Sequence, residues 1–160
     1  MLESKKIVID TVTISNFIKV GKLDLICELY HENVYVTESV IIELSEKFDI
    51  SNWIEAGKVK MAVFDYDNES IAMQKELSKN LGDGEISCII YGLKTKCVIA
   101  TDDGNARKTI RDTYNYNNFT GTVGILEELI QNGFLTNHDA RSLLEEMIEK
   151  GFWYRGSIPF

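Results

Sequence analysis

Residues 6–10 read KIVID, in which three aliphatic side chains, Ile7, Val8 and Ile9, form a short β-rich run that ends on an acid, Asp10. Related arrangements recur downstream. Asn33–Thr37 (NVYVT) reads as a second strand leading into a helix over Glu38–Phe48, where Val40, Ile41, Leu44 and Phe48 fall at helical spacing and Glu43 is carried along. Cys97–Thr101 (CVIAT) reads as a further strand with Asp102 and Asp103 directly after it. Lys58–Phe64 (KVKMAVF) alternates polar and apolar residues as a half-buried strand does, and Asn118–Thr120 offers a last short strand.

Helical stretches separate these runs. Residues 12–20 and 22–30 are broken at Gly21, and Ser51–Ala56 is capped by Ser51 and ended by Gly57. Asn68–Lys79 turns Ile71, Met73 and Leu77 towards a core, and Gly82-Asp83-Gly84 introduces the apolar helix Gly84–Leu93. A basic helix over Asn105–Tyr114 and helices at 123–132 and 137–150 complete the pattern, with Asn132-Gly133 closing the first of that last pair. Strands separated by helices imply crossover units and a mostly parallel sheet with helices on both faces. In such sheets ligands bind beyond the carboxyl ends of the strands.

Composition narrows the classes. The 160 residues fit one domain, and 44% apolar against 26% charged with a single proline reads as globular. A chain of this length buries roughly two-thirds of its unfolded surface, so it needs no staple. Twenty-five acids against 17 bases give a formal net charge of −8, which argues against a general nucleic-acid coating protein. It leaves room for a nuclease, whose metal-binding carboxylates also add negative charge. No apolar run approaches the ~20 residues of a membrane span, and MLESKKIVID is too short and too acidic for a signal peptide. Cys27, Cys88 and Cys97 form no C-x-x-C pair and there are only two histidines, His31 and His138, so zinc is not expected. The scattered cysteines read as buried thiols of a reducing cytoplasm.

Four segments direct carboxylates towards one sheet edge: Asp10, Glu43, Asp83 with Glu85, and Asp102 with Asp103. Acids crowded together take up protons or recruit cations, and hard oxygen ligands suit Mg²⁺ or Mn²⁺. One or two such ions could activate water and orient a phosphodiester without a histidine base. Taken singly, each acid also fits a helix cap or a solvated position.

These residues resemble the PIN-domain family, in its VapC-like toxin ribonuclease branch. IVIDT at 7–11 resembles the opening strand with its acid, and VTESVIIEL at 36–44 resembles the second strand and acid-bearing helix. LGDGEISCIIYGL at 81–93, ATDDGNAR at 100–107 and GTVGILEELIQNGFL at 121–135 follow in the family's order. The resemblance spans residues 7 to about 151. It implies a three-layer αβα sandwich over residues 1–151, with the apolar tail 152–160 docked on the domain or at an interface. Carried over residue by residue, it implies Asp10, Glu43, Glu85 and Asp102 as catalytic metal ligands, with Asp103 assisting or solvated. At the third place Asp83 and Glu85 compete; this branch suggests Glu85, with Asp83 as a helix cap. Thr11 is the hydroxyl beside the first acid, and Ser15 and Asn16 resemble a polar pair near the metal. The resemblance also implies an RNA substrate, a small antitoxin that blocks the site, and a homodimer.

Other features allow two readings each. Arg107, Lys108 and Arg111 fit phosphate contacts or a solvated helix face, with Arg107 and Arg111 on one side of the helix. Gly121-Thr122 fits an anion site or a Thr N-cap. The aromatics of YNYNNF at 114–119 fit an RNA-stacking surface, but a strand approach with turn-forming asparagines explains them better. A phosphatase Asp-x-Asp-x-Thr motif fails, because Val12 and Ile14 occupy the positions it needs. A PIN-fold binding or scaffolding module without catalysis is the alternative function. Two divalent cations at the acid cluster would take the formal charge from −8 to −4, so RNA binding is expected to depend on metal.

Overall fold

The computed structural model describes residues 5–160. Five strands, β1 (Ile7–Ile9), β2 (Val34–Thr37), β3 (Val59–Ala62), β4 (Val98–Ala100) and β5 (Phe119–Thr120), form one sheet in the order β3-β2-β1-β4-β5. Every pairing is parallel, so the sheet is wholly rather than mostly parallel. Successive side chains of a strand point to opposite faces. Ile7, Val8 and Ile9 are nevertheless all fully buried, and Val98, Ile99 and Ala100 nearly so, which requires cover on both faces.

Helices supply that cover. α1 (Thr11–Lys19) and α2 (Leu23–Leu29) join β1 to β2, and α3 (Glu38–Ser45) and α4 (Ser51–Glu55) join β2 to β3. α5 (Asn68–Leu77) and α6 (Asp83–Thr95) carry the chain from β3 back to β4. α7 (Gly104–Asp112) leads to β5, and α8 (Thr122–Gln131) and α9 (Asn137–Glu149) follow. α6 packs on β1, β2 and β4 with α3 and α5 beside it, while α1, α2, α8 and α9 pack among themselves. The architecture is the three-layer αβα sandwich of an α/β fold. From β1 the chain progresses to β2 and β3, whereas from β4 it progresses the other way to β5. The direction of winding therefore switches between β1 and β4, the place at the carboxyl ends of the strands where open α/β sheets bind ligands.

Asp10, Thr37 and Asp103 each end or closely follow a strand and cap the next helix, their side chains accepting the N–H three residues on. An acid after an apolar run is thus also a helix start in this chain. Some local expectations differ. The short helix α4 is capped from outside by Asp49, whose carboxylate accepts the Ser51 N–H at 2.9 Å, so Ser51 is the first helical residue and not the cap. Ile71 is 53% exposed because the inward face of α5 runs through Ser70 and Leu77, seven residues apart, from which Ile71 is turned by roughly 100°. α3 stops at Ser45, so Phe48 packs from a turn. Lys94 lies in the last turn of α6 and donates to Asp67 at 2.7 Å, tying two helices together.

Residues 152–160 form no helix or strand. Phe152 is buried, Tyr154, Ile158 and Phe160 pack against the core, and Arg141 on α9 donates to the Phe160 carbonyl at 2.7 Å. No helix among the described residues is long and apolar enough to cross a membrane. The three cysteines are free and buried, and burial pushes the Cys27 thiol up to about 12, which removes thiolate chemistry there.

α6 and the sheet approach closely at Gly92, where an added Cβ would fall 2.2 Å from Ile99 Cγ1. Ile99 is fully buried and has little room to yield. Gly92→Ala is expected to destabilise the fold by about 1–3 kcal/mol, read as a lower urea midpoint. An unchanged midpoint would mean that α6 can lift from the sheet at no cost.

Candidate active site

The switch point between β1 and β4 is built by strand pairing that runs past the strands themselves. The Asp10 N–H donates to the Ala100 carbonyl at 2.9 Å, which brings the end of β1 beside the approach to Asp102. The Asp10 carboxylate turns back to cap α1, accepting the Thr13 N–H at 3.0 Å. It is 3% exposed, and no ion pair among the described residues reaches it. Burial pushes its pKa up to about 6. Hydrogen bonding to Thr101 and Thr13 opposes that rise, and the neighbouring Asp102 charge adds a little to it.

Asp102 is held by α8 and α1 together. Its carboxylate accepts the Thr122 N–H at 2.9 Å, the Thr122 hydroxyl, and the Thr13 hydroxyl at 2.8 Å. Thr13 therefore serves both acids, its N–H bonded to Asp10 and its O–H to Asp102. Asn16 donates to Thr122 Oγ1 at 3.0 Å, which fixes the hydroxyl from behind. Thr122 is fully buried, so it is a holder of Asp102 and not the substrate contact or N-cap considered from sequence; Gly121 is the N-cap. A Cβ at Gly121 would lie 2.6 Å from Asp102 Oδ1 and 1.9 Å from an Arg107 nitrogen. Only glycine leaves space for that pair.

A second group of acids lies across α3 and α6. Glu43 accepts the Thr11 hydroxyl on one carboxylate oxygen and the Gly84 N–H at 3.2 Å on the other. Gly84 is required here, because a Cβ would come within 2.8 Å of Glu43 Oε2. The expected division between Asp83 and Glu85 is overturned in one respect. Gly82 is the N-cap, and Glu85 reaches back to accept its N–H at 2.8 Å, so Glu85 does the capping assigned to Asp83. Asp83 is the exposed first residue of the helix. Glu85 still belongs to the acid edge. Burial raises its pKa above the usual value against the Gly82 bond, and the charges of Asp103 and Glu43 push the same way. Asp103 caps α7 through the Ala106 N–H at 2.7 Å.

The basic residues divide. Arg107 donates Nε–H to the Thr101 carbonyl at 2.7 Å and brings a terminal nitrogen to 3.8 Å from Asp102. Arg111 pairs instead with its neighbour Asp112, and Lys108 is exposed. The Ser15 hydroxyl turns into its own helix, donating to the Val12 carbonyl. In YNYNNF, Tyr114, Tyr116 and Phe119 pack against the core, and the Tyr116 hydroxyl donates to the Cys97 carbonyl. His31 follows α2 and His138 lies on α9, outside this constellation.

Thr13 and Thr101 escaped the sequence reading. For Thr13 a signal exists: a hydroxyl three residues after the capping Asp10 sits on the same helical turn. Thr101 differs from many strand-end threonines only through its neighbours in space.

The donor set is carboxylate and hydroxyl oxygen, which fits a hard divalent cation, and the buried, cation-free Asp10 beside Asp102 leaves negative charge for one to offset. No group of three or more His, Cys, Asp or Glu among the described residues is gathered tightly enough to hold an ion by itself.

A family model described as a PIN domain matches residues 6–158. No curated protein and no solved structure matches the chain.

The raised Asp10 pKa fixes the sign of a pH effect. Its folded value of about 6 exceeds the ordinary 3.8, so the folded state binds this proton more tightly. Its contribution favours folding at low pH and is lost as pH rises from 4 to 6. Asp10→Asn is expected to stabilise the metal-free protein at pH 7 by a few kcal/mol, on the order of 3 for about two pKa units, and to flatten the stability profile across that window. Urea unfolding in EDTA at pH 4, 5, 6 and 7 checks it; equal profiles for both proteins would sink the claim.

Proposed function

The chain belongs to the PIN-domain family, whose members are as a rule nucleases that use divalent metal ions, and from that premise we propose that it is a metal-dependent endoribonuclease that hydrolyses RNA phosphodiester bonds as the toxin of a toxin–antitoxin pair. The observation that carries the reading is the Asp10–Asp102 pair at the switch between β1 and β4, with Asp10 buried and in no ion pair among the described residues. Asp10, Glu43, Glu85 and Asp102 would hold Mg²⁺ or Mn²⁺, one or two ions, with Asp103 at the margin. When bound, such an ion lowers the pKa of water and offsets charge on the phosphate.

The chain's own residues do the rest by orientation. Thr13 and Thr122 hold both oxygens of Asp102, and Thr11 and Gly84 hold both oxygens of Glu43, so these carboxylates keep their directions without metal. Glu85 stays tethered to the start of α6. Arg107 keeps its guanidinium beside Asp102 while remaining 37% exposed, which suits a hydrogen bond to a phosphate oxygen. Arg111, one turn on but paired with Asp112, and Lys108, exposed on a different side of α7, would be outer phosphate contacts only. The hydrolysis itself adds water across one P–O bond: the water oxygen joins phosphorus and the leaving oxygen takes a proton. In the same reading the partner is a small antitoxin that sets an Arg or Lys among the acids, the working form is a homodimer and the compartment is the cytoplasm.

Purified chain is expected to cleave single-stranded RNA with Mg²⁺ or Mn²⁺, and to lose cleavage in EDTA and in Asp10→Asn by about a hundredfold or more, the scale of removing a metal-holding group. Calorimetry with Mn²⁺ should show binding that Asp102→Asn weakens. Neither cleavage nor Mn²⁺ binding under any condition would make the chain a binding module on a PIN fold.

A further inference from the structure

We propose that the cavity beside the acid edge is a nucleobase subsite for single-stranded RNA, with Trp153 as its stacking platform; this rests on the ribonuclease reading above and names where the substrate next to the cleaved bond would lie. The cavity measures about 500 Å³, within the range of small-ligand sites. One side is Thr11 and Glu43, which hydrogen-bond to each other at the acid edge, so the cavity opens directly from the candidate active site. The other side is aromatic, formed by Phe48, Phe152 and Trp153.

Trp153 stands apart from its neighbours. Phe152 is 9% exposed and its N–H is bonded to the Met147 carbonyl, yet the next ring, Trp153, is 75% exposed. The Arg155 guanidinium lies 4.1 Å from the Trp153 ring centroid, which steadies the ring and adds positive charge beside it. An indole offered to solvent on a backbone anchored by a buried residue suits base stacking, which tolerates any sequence because every base has a π-face.

The polar groups favour a nucleotide over a peptide anchor. Asn16 lines the cavity but is 2% exposed and bonded to Thr122, so it shapes the wall and leaves the polar contacts to the exposed groups. Lys19 and Lys47 also line the cavity and suit flanking phosphates, and Glu46 adds an acceptor for base or sugar hydroxyl donors. An apolar peptide side chain seated there would bury these groups without partners.

The test uses the full chain carrying Trp53→Phe, so that Trp153 is its sole tryptophan, and a non-cleavable 2′-O-methyl hexanucleotide in Mg²⁺. Saturable quenching of Trp153 emission is expected. Read by calorimetry, since these variants carry no reporter indole, Trp153→Ala, at an exposed position that leaves the fold intact, is expected to weaken hexanucleotide binding about tenfold (about 1.4 kcal/mol), as stacking of one base implies. For a cleavable hexaribonucleotide it should raise KM with kcat nearly unchanged, and Trp153→Phe should restore most of the affinity. If the parent chain cleaves and binds RNA but Trp153→Ala does so equally well, the subsite is overturned and the nuclease reading stands. If the parent chain neither binds nor cleaves RNA with Mg²⁺ or Mn²⁺, both fall together. If Trp153→Ala leaves RNA binding intact but releases a small protein that co-purifies with the parent chain, the surface is a protein docking face and the proposal is wrong.

Discussion

The structure depends on the parallel pairing of β1 with β4 and on its continuation through the Asp10 N–H to Ala100. Because the winding direction switches there, no crossover helix covers the gap between those two strand ends. Whatever follows β1 and β4 must meet at that gap. In this chain carboxylates follow them, and the fold has to hold like charges together in a partly desolvated place.

It does so with backbone. Asp10, Asp102, Asp103, Glu43 and Glu85 each accept an N–H in the first turn of a helix or at its cap, at 3.0, 2.9, 2.7, 3.2 and 2.8 Å respectively. Those donors belong to α1, α8, α7 and, for both glutamates, α6. In a parallel sandwich a helix that follows a strand, or runs back to the start of the next one, begins at the same edge, so the positive ends of α1, α6, α7 and α8 gather where the acids gather. The fold thus supplies part of the compensating charge itself. Asp10 is the exception that shows the limit. It has its N–H donor, yet burial still lifts its pKa to about 6, so backbone dipoles alone do not neutralise the innermost acid.

This also explains what could be read from sequence. KIVID and CVIAT announce buried parallel strands through composition, and the acids after them announce both a site and helix starts, because capping and ligand positions coincide at this edge. Gly84 and Gly121 look like ordinary helix-entry glycines in one dimension; the carboxylates that exclude a Cβ there come from residues 41 and 19 positions away. The same distance hides the work of Thr13, which reaches Asp102 across 89 residues, and of Arg107, whose helical alignment with Arg111 suggested a phosphate-binding face before its bond to the Thr101 carbonyl was visible. The exchange of roles between Asp83 and Glu85 is subtler. Gly-Asp-Gly-Glu allows either acid to cap, and the reach of Glu85 back to Gly82 decides it.

The net charge of −8 takes a different meaning in this light. At physiological ionic strength a charge is screened beyond roughly 8 Å, so acids scattered over the far surface govern solubility and encounter rate more than events inside a crevice. Within the crevice the count is local. Five carboxylates are set against four helix ends, with Arg107 beside Asp102 and Lys19 and Lys47 along the neighbouring cavity. A polyanion approaching this protein meets weak repulsion at long range and, at short range, a site whose acids are only partly offset by helix ends and basic side chains. Such a surface disfavours indiscriminate coating of nucleic acid and makes any binding depend on what completes the balance at the acids. An overall acidic chain and a phosphate-handling crevice are then compatible, because the two properties act over different distances.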